Sequence, residues 1–345
     1  WCIYRGFTYI ALLLTSAGRE AGFLILIRHF EFFPSIVTAA PSFSAWLVWC
    51  IGIVLALCIL ILTATSVSRI AFEDLRGNEL FQIKDARQFS KTHGLTAVIS
   101  LAVTGVLLII FFGPYSLLGL FGRIPVLGEL TVALLSIPSF FWGLAGTSVL
   151  IVFIIGLALA PAITACTGED ALEVIIQLFS SVFKQPFKLV VYEIIAEIAV
   201  TISTLILIAV SFITLHFMMV IIEIGMGYTF NEILTVALYR IAFLMESPAL
   251  VYKIIELGDL HYIPYIVDTE MITPTIQAAG WILGISLLLV FTWIGSYFFS
   301  GFYSSQVIIY LVIRKHKNGD DLRKKTPSTQ FVPEIPEKDL LSGKN

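Results

Sequence analysis

Apolar residues fill this chain in long blocks rather than in alternation or narrow stripes, and the blocks set its architecture. The longest, residues 187–224, contains no Gly or Pro. At ~1.5 Å per residue it makes roughly 57 Å of helix, against ~30 Å of bilayer hydrocarbon, so it crosses a membrane and projects beyond it. Further blocks at 45–67, 95–121, 139–161 and 278–299 are also long enough to span, and the last continues as an apolar helix to residue 313. The pattern predicts an all-α fold: a polytopic transmembrane helix bundle of five spans, or six if residues 1–44 hold another. Residues 45–313 form the membrane domain, with an extramembrane segment at 228–277 that is helical over 231–257.

Between blocks the period changes. Asp170, Glu173, Gln177, Ser180, Ser181 and Lys184 recur at helical spacing on one face, and Ala171, Leu172, Ile175, Ile176, Phe179, Val182 and Phe183 fill the other. This predicts an amphipathic helix lying flat at the interface, opened by a capping box running from Thr167 to Asp170 and closed at Pro186. Residues 78–94 predict a weaker segment of the same kind. Asp85-Ala86 and Asp170-Ala171 occupy comparable places, so the order span, amphipathic segment, span reads as a duplication. Residues 122–129 predict a tight turn. In residues 1–44 the apolar runs 7–17 and 21–27 are too short to span and are broken by Arg19, Glu20, Arg28 and Glu31. They predict interfacial helices or a re-entrant hairpin whose charges are buried against partners. The chain starts at Trp1 with no initiating Met, which implies a piece upstream.

Composition agrees with the pattern. Hydrophobic residues make up 58% and charged ones 13%, with a mean hydropathy of +0.94, where soluble chains are roughly a quarter charged. A net charge of −3 gives no footprint for nucleic acid. The placement of charge is more useful: fifteen Lys and Arg fall on the side of the tail and both amphipathic segments, against six on the other. The positive-inside rule then puts the C-terminus in the cytoplasm, with the protein in a bacterial inner membrane.

Candidate chemistry is sparse. Glu193 and Glu197, at i and i+4 on the long helix, share a face as an intramembrane acid pair, suited to a cation or proton path or else satisfied at the interface. His216 is the one histidine well inside an apolar span, a possible axial ligand for a haem or chlorophyll metal; His29, His93, His261 and His316 lie at ends or outside. No cofactor is identified, and no cluster of Cys, His and acids suits a metal ion. Cys2, Cys50, Cys58 and Cys166 read as small apolar core residues. Gly280-x-x-x-Gly284 favours close helix packing, within the chain or between subunits. Arg314, Lys315 and Lys317 suit contact with anionic lipid. Residues 326–345 of the polar tail 314–345 suit contact with another protein. Walker loops, Rossmann glycines, nucleophile elbows and H-E-x-x-H are absent from the sequence.

Four stretches carry a resemblance: SRIAFEDL (68–75), FGRIPVLGEL (121–130), GEDALEVIIQLFSSVFKQPFKL (168–189) and IIYLVIRKHKNGDDL (308–322). Together they resemble a family of uncharacterised bacterial multi-span membrane proteins, seen for example in planctomycetes. The third is also similar to the membrane domain attached to some glycerophosphodiester phosphodiesterases, whose catalytic domain this chain lacks. The resemblance implies the membrane fold and supplies no active-site residues. The expectation is a non-enzymatic structural or accessory subunit of a larger membrane complex, in contact with lipids and other subunits. The alternative is a transporter or lipid-handling protein with a cavity near Glu193 and Glu197.

Overall fold

The computed structural model describes residues 2–15, 42–78, 80–245, 273–318 and 322. Their regular elements are all helices: α1 (Cys2–Leu13), α2 (Phe43–Leu75), α3 (Ile83–Phe121), α4 (Leu127–Leu134), α5 (Ser136–Thr167), α6 (Ala171–Lys184), α7 (Pro186–Met226), α8 (Tyr228–Met245) and α9 (Pro274–Asn318). Five of these, α2, α3, α5, α7 and α9, are long and apolar enough to cross a membrane. The chain is a membrane-embedded all-α protein with the five spans that its apolar blocks predict.

Several boundaries move. The amphipathic residues 83–94 are not a separate helix but the first three turns of α3, which starts with a capping box between Gln82 and Asp85. Asp170, by contrast, is itself the N-cap of α6 and makes no side-chain cap bond. The two acidic-alanine pairs thus hold different positions, and only α6 is separated from the span that follows, by the Gln185–Pro186 corner. The Thr167 capping box does not form: Thr167 ends α5, its hydroxyl donating to Ile163 O at 2.9 Å. Gly168 closes that helix in the left-handed region, at φ +64°. Gly227, at φ +61°, ends α7, while Gly225 lies within it. The tight turn at 122–129 yields part of its length to α4.

The chain forms two compact units, Trp1–Ala64 with Ile194–Ser305, and Thr65–Glu193 with Gln306–Asn345. In the first, α1 runs antiparallel along the start of α2. Ser42 Oγ donates to Leu14 O at 3.3 Å, Ala11 and Ala45 are buried together, and Phe7 covers Gly52 so closely that a Cβ there would collide with it. Arg5 is buried within α1, donating to Tyr9 OH at 2.9 and 3.1 Å. Arg19, Glu20, Arg28 and Glu31, the charges of the expected interfacial or re-entrant segment, lie outside the described residues. Also in this unit, Phe230, Leu234 and Leu238 of α8 pack on Met219 and Ile222 of α7 and Leu283 of α9. Cys50 is exposed and Cys58 half-buried, while Cys166, in the other unit, is buried as apolar character predicts; the Cys2 side chain lies outside the described residues.

The second unit is built on α5. Of its most apolar 18-residue stretch, 61% is buried, the largest share among the five spans. Small residues let neighbours approach: a Cβ on Gly156 would lie 3.1 Å from Leu101 of α3 and 3.4 Å from Leu178 of α6. The contact with Leu178 also ties α6 to this unit. This helix leans on α3 and α5, burying Gln177 and Ser181 from its polar face and leaving Leu172, Ile176 and Phe183 of its apolar face exposed.

Candidate functional site

The ends of α2, α5 and α9, with α6, enclose a buried polar cluster. Its hub is Gln177, 9% exposed. Tyr310 OH and, at 3.5 Å, Arg314 Nη1 donate to its Oε1, and its Nε2 donates to Glu169 and, at 3.2 Å, to Glu173 Oε1. Both N–H groups and both lone pairs of the amide are used. Arg314 Nη1 also donates to Tyr310 OH at 2.7 Å. A primary amide does not pass protons along such a chain without tautomerising, so the arrangement fixes helices in place rather than conducting a proton.

A second set surrounds Arg69, four residues before Glu73 on α2. Arg69 Nη2 lies 2.5 Å from Glu73 Oε1 and Nη1 donates to Ala165 O, at the end of α5, at 2.7 Å. Glu73 also receives Arg76 at 3.4 Å and Asn78 at 3.2 Å. The Arg69 guanidinium sits 4.4 Å from the centre of the Phe89 ring, which stacks on His93 at 4.7 Å. Cys166, buried on α5, lies in the field of both Arg69 and Arg314. Buried charges are tolerated only when paired and hydrogen-bonded, and each Arg69 partner meets that need from a different turn or helix.

A cavity of about 480 Å³ lies elsewhere, between α3 and α5. Its walls are the rings of Phe112, Tyr115 and Phe140 with Leu144, and the hydroxyl residues Ser136, Ser139 and Thr147. Gly143 lets Tyr115 pack close on α5: a Cβ there would come within 2.5 Å of the Tyr115 hydroxyl. Nearby, Trp142 Nε1 donates across to Phe111 O at 2.8 Å, close to Pro114, which itself offers no N–H to the helix.

The residues predicted from sequence fall outside a single site. Glu193 accepts from the fully buried Gln306 at 2.8 Å, whereas Glu197 is exposed. Neither glutamate lines the α3–α5 cavity. His216 is exposed on α7, edge-on to its neighbour Phe217, and no group of three or more metal-ligating side chains occurs among the described residues. Gly280 and Gly284 pack within the chain: a Cβ on Gly280 would meet Val236 of α8 at 2.5 Å, and Gly284 faces Ala237. α8 occupies that face within the chain. Arg314 turns into the Gln177 cluster and Lys315 is exposed; the Lys317 side chain and the 326–345 contact lie outside the described residues.

Sequence reasoning misses Arg69, Glu73, Tyr310 and Gln306. Only the i, i+4 spacings Arg69/Glu73 and Tyr310/Arg314 hint at them. Three of the four stretches that carry the family resemblance, 68–75, 168–189 and 308–322, converge on this cluster. No family model matches the chain, and no curated protein or solved structure is similar to it.

Proposed function

We infer that this membrane protein acts as a non-enzymatic structural or accessory subunit of a larger membrane complex, docking through the α6–α7 corner. One observation carries the reading. Exposed apolar side chains on α7 run from Phe187 to Ile224, over about 56 Å at ~1.5 Å per residue. Even at a tilt of about 40°, ~30 Å of hydrocarbon covers only ~39 Å of helix. The acids Glu197 and Glu223 bracket a stretch of that length, which leaves Phe187, Val190, Val191, Ile194 and Ile195 beyond it, each more than half exposed. Leu172, Ile176 and Phe183 of α6, the helix that leads into α7, are exposed as well. An apolar patch outside the hydrocarbon, close to Lys184 and Lys188, suits a partner protein at an inner-membrane surface, with the C-terminus cytoplasmic.

The test is affinity purification of the full chain from native membranes in mild detergent. Partners at fixed stoichiometry, lost when Phe187→Asp and Val191→Asp are introduced without change in thermal stability, are the expected result. The second reading, a transporter or lipid-handling protein, is favoured by the buried Gln306–Glu193 bond within a span. A solitary protein whose transport in vesicles is abolished by Glu193→Gln would replace the first reading with the second.

A further inference from the structure

We propose that the cavity between α3 and α5 is a binding site for one acyl chain of a bilayer lipid, held there longer than the lipids that cover the rest of the surface. Its volume of about 480 Å³ falls in the range of ligand pockets, ~300–1,000 Å³. Its chemistry selects an apolar occupant. No wall residue is charged, and three of its four hydroxyls give their proton to the backbone: Tyr115 to Ser139 O, Ser136 to Ala133 O at 2.8 Å and Thr147 to Gly143 O at 2.9 Å. The remaining surface is ring faces and C–H groups. A polar ligand entering it would exchange water for few partners, whereas a hydrocarbon chain loses nothing.

Position points to the same occupant. Tyr115 stands six residues before the end of α3 and Ser139 three residues after the start of α5, about 5–9 Å inside the two span ends at ~1.5 Å per residue. Exposed Phe140 lines the cavity, and exposed Phe141 and Trp142 follow it in this part of α5, the aromatic composition of a membrane interface. A lipid whose headgroup rests at that level has its chain beside the opening. The pocket is also preformed: Gly143 lets the Tyr115 hydroxyl close against α5, and the Phe111–Trp142 contact, through hydrogen bond and ring packing at 5.0 Å, braces the two helices next to it. A braced pocket retains a chain with less ordering cost than a mobile annular contact.

The probe is a phosphatidylethanolamine carrying a photoactivatable diazirine in one acyl chain, used in vesicles holding the full-length protein, with crosslinked peptides mapped by mass spectrometry. Label on 112–115 and 139–147 at least fivefold above that on the exposed apolar face of α7 is expected. Leu144→Trp, at an exposed wall position, and Gly143→Leu, beside it on α5, both add bulk to the pocket wall, and each lowers that label at least fivefold while α7 labelling stays constant. Gly143→Leu risks the fold, so Leu144→Trp decides if the former loses helicity. Equal labelling of the cavity and α7, or full labelling in Leu144→Trp, would overturn the proposal.

Discussion

Helices α5 and α7 are both long, apolar candidate spans, yet the chain uses them in opposite ways. In α5, 61% of the most apolar 18-residue stretch is buried, and in α7 none is. The difference lies in side-chain size. Gly156, Ala160, Ala162 and Ala165 let α3, α6 and the Arg69 guanidinium approach α5, while Ile194, Ile198, Ile202, Leu205 and Ile206 give α7 a bulky face that is exposed among the described residues. In lipid, apolar character cannot separate inside from outside, because the solvent is as apolar as the core, and close packing of small residues takes over that role. What α5 gains in neighbours it uses to hold the polar cluster at its end; α7 keeps an exposed apolar surface, which under the proposed function serves lipid and, where lipid ends, a partner.

The contrast breaks most severely at the cluster. Glu73→Ala leaves Arg69 and Arg76 without their shared carboxylate, and breaking a buried pair in this way costs about 3–5 kcal/mol. A large fall in melting temperature in detergent is the expected readout, and Glu73→Gln recovers only part of it. Gln177→Leu comes next, since Tyr310 OH loses its acceptor in a buried place, at about 1–3 kcal/mol. Gly156→Val overpacks α5 against Leu101 and Leu178 for about 1–3 kcal/mol, read by the same melting curve. Ile206→Ala, exposed on α7, changes stability by less than about 0.5 kcal/mol. A melting temperature that falls as far in Ile206→Ala as in Gly156→Val would erase the distinction between the two helices.

Much of the architecture was legible in the sequence because blocks of apolar residues have a single use at this length. The five spans and the span that opens at Pro186 follow directly from residues 45–67, 95–121, 139–161, 187–224 and 278–299. The cluster was not, and the reason is physical. Arg69 and Glu73 at a span end look like residues that stop a helix in headgroups, and nothing local shows that Ala165 O, 96 residues on, accepts from Arg69. The polar face of α6 misled in the same way. Its amphipathicity is real, but Gln177 and Ser181 of the polar face are buried together with Val174, Leu178 and Val182, and Gln177 satisfies its amide with Tyr310, 133 residues away. Glu193 and Glu197 share a helix face by spacing, yet Gln306 engages only the first. Pairing across 96 to 133 residues of sequence separation leaves no periodic trace.

The central claim, that the apolar surface of α7 outruns the bilayer and is covered at its start by a partner, is tested most directly by a spin-label scan. Single labels are placed at each position from 187 to 224 in a background without cysteine, with the protein first in its native membrane and then purified into lipid nanodiscs. The account predicts oxygen-accessible, lipid-facing labels between about 198 and 222 in both settings. It predicts labels at 187, 190, 191, 194 and 195 that are shielded in the native membrane and open to a water-soluble relaxant in nanodiscs. Lipid-type accessibility along the whole of 187–224, unchanged on purification, would contradict it.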